Sequence, residues 1–524
     1  MRNAHAVADV RAAEQALLAR LPEGTLMGRA AAGLASACTR LLGQVYGARV
    51  VVLAGSGDNG GDALFAGALL AARGAAVTAI AAASRLHEPG AAALRAAGGT
   101  ITPAGDAGGS GGADGGAGAG GSGGAGAGGA GAGVSADAGR ALSRADLIID
   151  GLLGIGGRGG LREPAATLAA RTEQARTQGA TVVAVDLPSG VDADTGVVAG
   201  AAITADVTVT FGTWKPGLLI DPGASRAGAV ELIDIGLRDL AAPAVSALQS
   251  ADVAALLPRP GAESDKYRRG VLGLLAGSPR YTGAAILATG SAIHGGAGMV
   301  RLMSAQPALT AALLHWPEAV TSVADPAGPV KSVETAGRVQ AWAAGPGMGT
   351  DDGAAGLLAA VLATDVPALV DADGITIVAG HRDLLDRSAP TLITPHAGEL
   401  ARLTGADRAD IEARRLEHAT AAAADLGVTV LLKGSTTVIA QPGGPVLVNS
   451  TGSAWLATAG SGDVLSGLAG ALLAQGLPPL QAAAVAAYLH GIAGRLAAEG
   501  APIGAADIIT ALPDAIRSVT APVS

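Results

Sequence analysis

Gly460-Ser461-Gly462-Asp463 stands directly before a run with helical apolar spacing, Val464, Leu465, Leu468 and Leu472. A helix that starts on Gly and Ser leaves its first N–H groups free, and these donors act with the helix dipole to favour an anion. Gly460 and Gly462 let a phosphate approach the backbone closely. Asp463 fits such a cradle poorly as a ligand, because a phosphate repels a carboxylate. It is better suited to taking a proton from a hydroxyl nucleophile. The plain alternative is a helix start whose carboxylate only complements the dipole.

A second constellation lies in the first half of the chain. The apolar run Val50–Ala54 delivers Gly55-Ser56-Gly57-Asp58-Asn59-Gly60-Gly61-Asp62. The run Ala145–Asp150 ends on an acid and enters a Gly-rich loop, Gly151–Gly160. Thr181–Val185 leads into Asp186-Leu187-Pro188-Ser189-Gly190. The oxygens of Asp58, Asn59 and Asp62 suit a hard cation or a ribose hydroxyl better than a pyrophosphate. Each loop alone could be a polar connection after a strand. Three strand ends of one parallel sheet, however, share one edge, and ligands bind there.

The elements that must position these residues follow from periodicity. Residues 8–46 read as helix, broken at Pro22-Glu23-Gly24. Val50–Ala54, Ala76–Ala81, Ala145–Asp150, Thr181–Val185, 207–211 and 229–234 read as buried strands, with a helix over Ala63–Arg73. Pro103–Gly139 is nearly all Gly and Ala, and about 104–138 is expected to be a disordered surface insertion without a packing role. Residues 236–262 read as a connection. Beyond it, strands Val271–Ala276, Val339–Ala344 and Ala368–Val370 alternate with helical segments. The chain is therefore expected to be α/β with two domains, 1–240 and 250–524.

Composition narrows the function classes. The 524 residues are 49% hydrophobic but only 2% aromatic, so the core must be aliphatic. A net charge of −9 is no nucleic-acid footprint. No apolar span of the ~20 residues a bilayer needs is present, and no signal segment is seen, so a cytoplasmic protein without membrane partners is expected. The single cysteine, Cys38, lies on the apolar side of its helix and reads as buried and structural. Of the 35 Lys and Arg residues only four are Lys, at 215, 266, 331 and 433. Where Arg is the default cation, a Lys points to a requirement for Lys.

Asn449-Ser450-Thr451-Gly452 and Ala459–Gly467 resemble the C-terminal signature of the NAD(P)H-hydrate dehydratase branch of the ribokinase-like fold, departing from it at Ser453-Ala454-Trp455-Leu456 and Ala459. Gly345-Pro346-Gly347-Met348-Gly349, Thr394-Pro395-His396-Ala397-Gly398-Glu399 and Lys433-Gly434-Ser435-Thr436-Thr437 resemble further motifs of that branch, over about 252–515. Residues 5–240 resemble the NAD(P)H-hydrate epimerase domain, a Rossmann-like fold, with Asp58 and Ala63 as departures. Together they resemble a bifunctional repair enzyme built from two αβα sandwiches. The resemblance implies that Asp463 is the dehydratase base, with Gly347, His396, Lys433, Gly434, Ser435, Thr436, Thr437 and Gly462 around substrate and nucleotide. It implies that Asp186 handles the proton in epimerisation. Asp58, Asn59, Gly60, Gly61, Asp62, Gly154, Ile155, Gly156, Gly157, Arg158, Gly159 and Gly160 would line the hydrate. Asn59, Asp150 and Ser189 would hold K⁺. Mg²⁺ and ADP or ATP are implied for dehydration, the hydrates of NADH and NADPH as substrates, and a homo-oligomer. A vitamin or sugar kinase of the same fold, carrying a non-catalytic N-terminal module, is the competing reading.

Overall fold

The computed structural model describes residues 1–105 and 134–521, folded into two units. One comprises His5–Leu218 and Pro222–Ala242. The other comprises Pro243–Ser524 together with Met1–Ala4 and Leu219–Asp221. A single boundary between 240 and 250 therefore omits two short segments that fold with the C-terminal unit.

The N-terminal unit is built on a seven-stranded sheet, parallel throughout. Its order is Thr100–Pro103, Ala76–Ala81, Arg49–Ala54, Leu147–Gly151, Thr181–Val185, Val207–Phe211, Ala229–Ile233. In chain order this is third, second, first, then fourth to seventh, the doubly wound arrangement with its switch point between Arg49–Ala54 and Leu147–Gly151. Alternate strand residues serve the two faces. Val50, Val52, Ile149 and Val183 pack with helices Thr25–Leu42 and Asp58–Ala71. Val51, Leu53, Ile148 and Val182 pack with helices Ala136–Ser143 and Ala165–Thr177. Cys38 is fully buried, and burial pushes its thiol up to about 12, as an inert core residue requires.

The C-terminal unit carries an eleven-stranded sheet. Seven consecutive neighbours are parallel, and the order turns back between Val271–Leu275 and Ala341–Ala344. Strands Thr437–Ala440 and Leu447–Asn449 extend it antiparallel. Val245–Ala247 and then Arg2–Ala4 complete that edge. Helices Thr282–His294, Ser461–Ala474 and Pro479–Ala498 cover one face through an aliphatic core. Asp352–Leu362 and Arg415–Leu426 also pack on the sheet. Helix Ser461–Ala474 comes in at backbone distance: a Cβ on Gly467 would stand 2.1 Å from the Ala288 carbonyl oxygen. Among the described residues no helix is long and apolar enough to cross a membrane.

Three expectations need correction. The helix after Val50–Ala54 begins at Asp58, not at Ala63, so Asn59, Gly60, Gly61 and Asp62 sit in its first turns. Glycine is required there because the helix start is crowded; a Cβ on Gly60 would stand 2.3 Å from the Gly55 carbonyl oxygen. The stretch 236–262 is not merely a connection, since it holds strand Val245–Ala247 and helix Ser250–Leu256.

The ends of the expected insertion are also ordered. Gly105 bridges Val134, Ser135 caps helix Ala136–Ser143 by accepting from Ala138 N at 3.3 Å, and Ala138 is fully buried. The rest of that insertion, 106–133, lies outside the described residues. Deleting 104–138 removes a cap and a first helical turn. The cap alone is worth about 1 kcal/mol, and each kcal/mol lowers the melting temperature of a unit this size by roughly 2–4 °C. The expected result is a measurable drop in melting temperature for the longer deletion relative to one confined to 106–133. Equal melting points for the two would refute a packing role for 134–138.

Candidate active site

In the C-terminal unit the anion loop and the strand ends converge on one carboxylate. Gly460 takes a left-handed φ of 85° and turns the chain into helix Ser461–Ala474. The first bond of that start is Val464 N to Gly460 O, 3.1 Å, which leaves the N–H groups of Gly462 and Asp463 ahead of it. Ser461 N is spent on Thr458 O at 3.3 Å, so it is not a free donor. Behind the loop, buried His490 places Nε2 3.0 Å from Ser461 O and 3.2 Å from Ser461 Oγ. Burial lowers His490 to about 4, and a neutral imidazole donates to the carbonyl.

Asp463 is partly buried beside a charged network. Lys433 Nζ donates to Asp371 Oδ1 at 2.7 Å and lies 3.8 Å from Glu399 Oε2. Ser466 Oγ donates to the other oxygen of Asp371 at 2.6 Å. Burial alone would depress the Lys433 ammonium, but Asp371, Glu399 and Asp463 hold it above the usual lysine range. Burial, then the nearby Asp371, raises Asp463 to about 7, while Lys433 works against the rise. A carboxyl poised near neutrality is matched to proton transfer. Lys433 also stands 3.5 Å from where a Cβ on Gly462 would be, so the ammonium, the Asp463 carboxyl and the glycine-rich helix start share one place.

The remaining candidates of this unit divide. Gly347 (φ 59°) lies in the loop at the switch point, and Gly349 N in the same loop donates to Asp373 Oδ2 at 3.0 Å. His396 is a helix cap. Its Nδ1 accepts from Gly398 N (2.9 Å) and Glu399 N (3.2 Å), and Glu399 returns a bond to His396 N. Its Nε2 lies 3.5 Å from Glu399 Oε1. Gly434 and Ser435 are exposed, and Thr437 starts a strand. Thr436 is turned inward, and its hydroxyl accepts from Asp221 N at 3.2 Å.

In the N-terminal unit the two loops at the switch point and the one after Thr181–Val185 meet. Asp150 is fully buried and accepts from Ser189 N (2.8 Å) and Ser189 Oγ (2.6 Å). Asn59 Nδ2 donates to Leu153 O at 3.1 Å, and Leu153 N donates to Ser189 Oγ at 2.9 Å. Asn59, Asp150 and Ser189 are thus brought together, with the Leu153 carbonyl among them. Burial raises Asp150 to about 6.

Asp186 sits at φ 65°, a strained position for a residue with a side chain and one found at functional sites. Its Oδ1 accepts from Thr210 Oγ1 (3.0 Å), Phe211 N (3.1 Å) and the Lys215 ammonium. Lys215 is 1% exposed and donates also to Thr210 Oγ1 and Phe211 O, both at 3.0 Å. Asp186 is therefore an ion-paired carboxylate. Asp62 is the crowded one. Its Oδ1 is buried without a partner, and burial, then Asp186, Asp58 and Glu14, raise it well above the carboxylate range. Asp58 and Arg158 are exposed. Gly154 abuts Asn59, Gly160 abuts Gly200, Gly159 is left-handed, Gly157 is half-buried, and Ile155 packs against the apolar cluster that holds Val7, Leu187 and Val191.

Sequence reasoning did not name Lys215, Asp371, Glu399, Ser466, His490 or Glu14 as site residues. The rarity of Lys was the one available signal for Lys215, whereas Lys433 also stood in a recognisable motif.

Comparison with known proteins agrees with both halves. Residues 272–514 match the family model described as NAD(P)H-hydrate dehydratase, and 23–217 match the YjeF-related protein N-terminus. Over 489 residues the chain is 47% identical to the bifunctional NAD(P)H-hydrate repair enzyme Nnr of Mycobacterium leprae (strain TN), covering 92% of this chain and 91% of that one. This chain belongs to the bifunctional NAD(P)H-hydrate repair enzymes. The Mycobacterium tuberculosis (strain ATCC 25618 / H37Rv) member is likewise 47% identical, over 490 residues and 92% of each chain. A Bacillus subtilis ADP/ATP-dependent NAD(P)H-hydrate dehydratase, co-crystallised with ATP/Mg²⁺, is 30% identical with a TM-score of 0.48, covering 52% of this chain and 99% of that one. Membership of a two-activity family accounts for two separate sets of strand-end carboxylates in one chain.

Proposed function

We propose that the C-terminal unit dehydrates the S epimer of hydrated NADH or NADPH with ADP or ATP, and that the N-terminal unit interconverts the R and S epimers. The observation that carries the reading is Asp463, raised to about 7 at the mouth of a helix start and beside the Lys433–Asp371 pair. Asp463 takes the proton of the C6 hydroxyl as its oxygen attacks the terminal phosphorus of the nucleotide. The bond from phosphorus to the nucleotide oxygen breaks, and the Gly462 and Asp463 N–H groups receive the charge of the transferring group. The ring nitrogen lone pair then expels phosphate from C6, and loss of a C5 proton to solvent restores the reduced nicotinamide. Among the described residues no cluster of three or more His, Cys, Asp or Glu is placed for a metal. Mg²⁺ would enter with the nucleotide as the counterion of its phosphates.

In the epimerase site C6 is a hemiaminal carbon. The Asp186 carboxylate, braced on one oxygen by Lys215, takes the hydroxyl proton as the C6–N1 bond opens. Asp62 protonates N1, and reclosure on the other face inverts C6. Asp150, Ser189 Oγ, Leu153 O and Asn59 Oδ1 form an all-oxygen donor set around one buried charge. That chemistry fits K⁺, which would fix the loops when bound.

The test adds purified protein, Mg²⁺ and ADP or ATP to S-hydrate. The near-ultraviolet absorbance of the reduced nicotinamide should return with stoichiometric inorganic phosphate. A stable phosphorylated product without absorbance would instead establish a small-molecule kinase.

A further inference from the structure

Helix Val7–Leu18 precedes the stretch matched by the N-terminal family model, 23–217. It is nonetheless fastened to the epimerase strand ends. Val7 is buried in a cluster with Leu187 and Val191, and its N–H donates to Asp194 Oδ1 at 2.7 Å. His5 N donates to Trp214 O at 3.0 Å, and His5 Nδ1 lies 2.7 Å from Thr213 Oγ1. From this anchorage the helix sends two charged side chains to the site. Glu14 lies in the field of Lys215, Asp186 and Asp58. Arg11, one turn earlier, brings Nη2 to 2.7 Å from where a Cβ on Gly156 would stand. Its guanidinium is exposed and makes no hydrogen bond to a described residue.

This arrangement answers a problem of charge. The hydrate is a dinucleotide with an anionic pyrophosphate, yet Glu14, Asp58, Asp62 and Asp186 gather at one site. The Lys215 ammonium is committed to Asp186 and cannot offset them for the ligand. A guanidinium lying over a Gly-rich loop, with its donors unspent, matches a phosphate in shape and charge. Any side chain at position 156 would displace it.

We propose that Arg11 is a positioning residue of the epimerase site, holding a phosphate of the hydrate over the Gly154–Gly160 loop. The inference rests on the epimerase reading of this unit. Arg11→Gln and Arg11→Lys are made in the full chain, and epimerisation of R-hydrate is followed by chromatography without nucleotide. Arg11→Gln should raise KM roughly 10–100-fold, the weight of a charged hydrogen bond, with kcat nearly kept. Arg11→Lys should recover part of the loss. The gap from wild type should narrow as salt is added, because the lost contact is screened. Dehydration of S-hydrate should not change. A KM for Arg11→Gln within about two-fold of wild type, or a loss confined to kcat, overturns the proposal. Wild type, run in parallel against the uncatalysed rate, separates the failures. If wild type does not speed the exchange of R- and S-hydrate, the epimerase reading itself falls; if it does while Arg11→Gln is normal, only the role of Arg11 falls.

Discussion

Asp463→Asn is expected to lower the turnover of hydrate dehydration by roughly 10²–10⁴, the usual weight of a general base, with nucleotide binding largely retained. The amide keeps the size of the side chain and cannot take the proton. The wild-type pH profile supplies an independent check. Burial and Asp371 raise the Asp463 carboxyl to about 7. A base acts only when deprotonated, so kcat/KM should fall about tenfold per pH unit below that value and level off above it. The Asn variant should lack this break. Turnover within a few-fold of wild type would reduce Asp463 to a carboxylate that complements the helix dipole.

The second large effect concerns Asp186. Removing its carboxylate altogether leaves Lys215 buried and unpaired, an uncompensated charge that costs roughly 3–5 kcal/mol. Asp186→Ala therefore mixes loss of chemistry with loss of stability. Asp186→Asn keeps an oxygen for the three donors and removes the base. With mixed R and S hydrate and excess nucleotide, wild type should recover nearly all of the reduced cofactor. The Asn variant should stop at the S fraction, then creep upward only at the unassisted rate of epimer exchange. Asp463→Asn should show the converse, with epimers exchanging but no absorbance gained. Full, fast recovery by Asp186→Asn would remove Asp186 from the reaction.

Much of this was legible in the chain because the informative residues are contiguous. Gly460–Asp463 and Asp58–Asp62 carry their glycines and acids within one turn, and the apolar runs before Asp150 and Asp186 are long enough to read as strands. The partners were not legible because the fold pairs them across distance. Lys433 meets Asp371 from 62 residues away, and Ser466 meets it from 95. Strands Val245–Ala247 and Arg2–Ala4 have three residues each, too few for any period to register. The ion pair of Asp186 was not legible because the burial of Lys215 is a tertiary fact, invisible to composition beyond the scarcity of Lys.

The division of the chain into units has a practical sequel. The backbone passes from one unit to the other after Ala4, Leu218, Asp221 and Ala242. No single scission can therefore yield both halves whole. A fragment beginning near 243 lacks the strand that pairs with Val245–Ala247 and the backbone donor that Thr436 accepts. For anyone dissecting the enzyme, inactivating one site by substitution in the intact polypeptide is the sounder route than expressing truncated pieces. The two units alternate along the polypeptide, and one cut cannot part them.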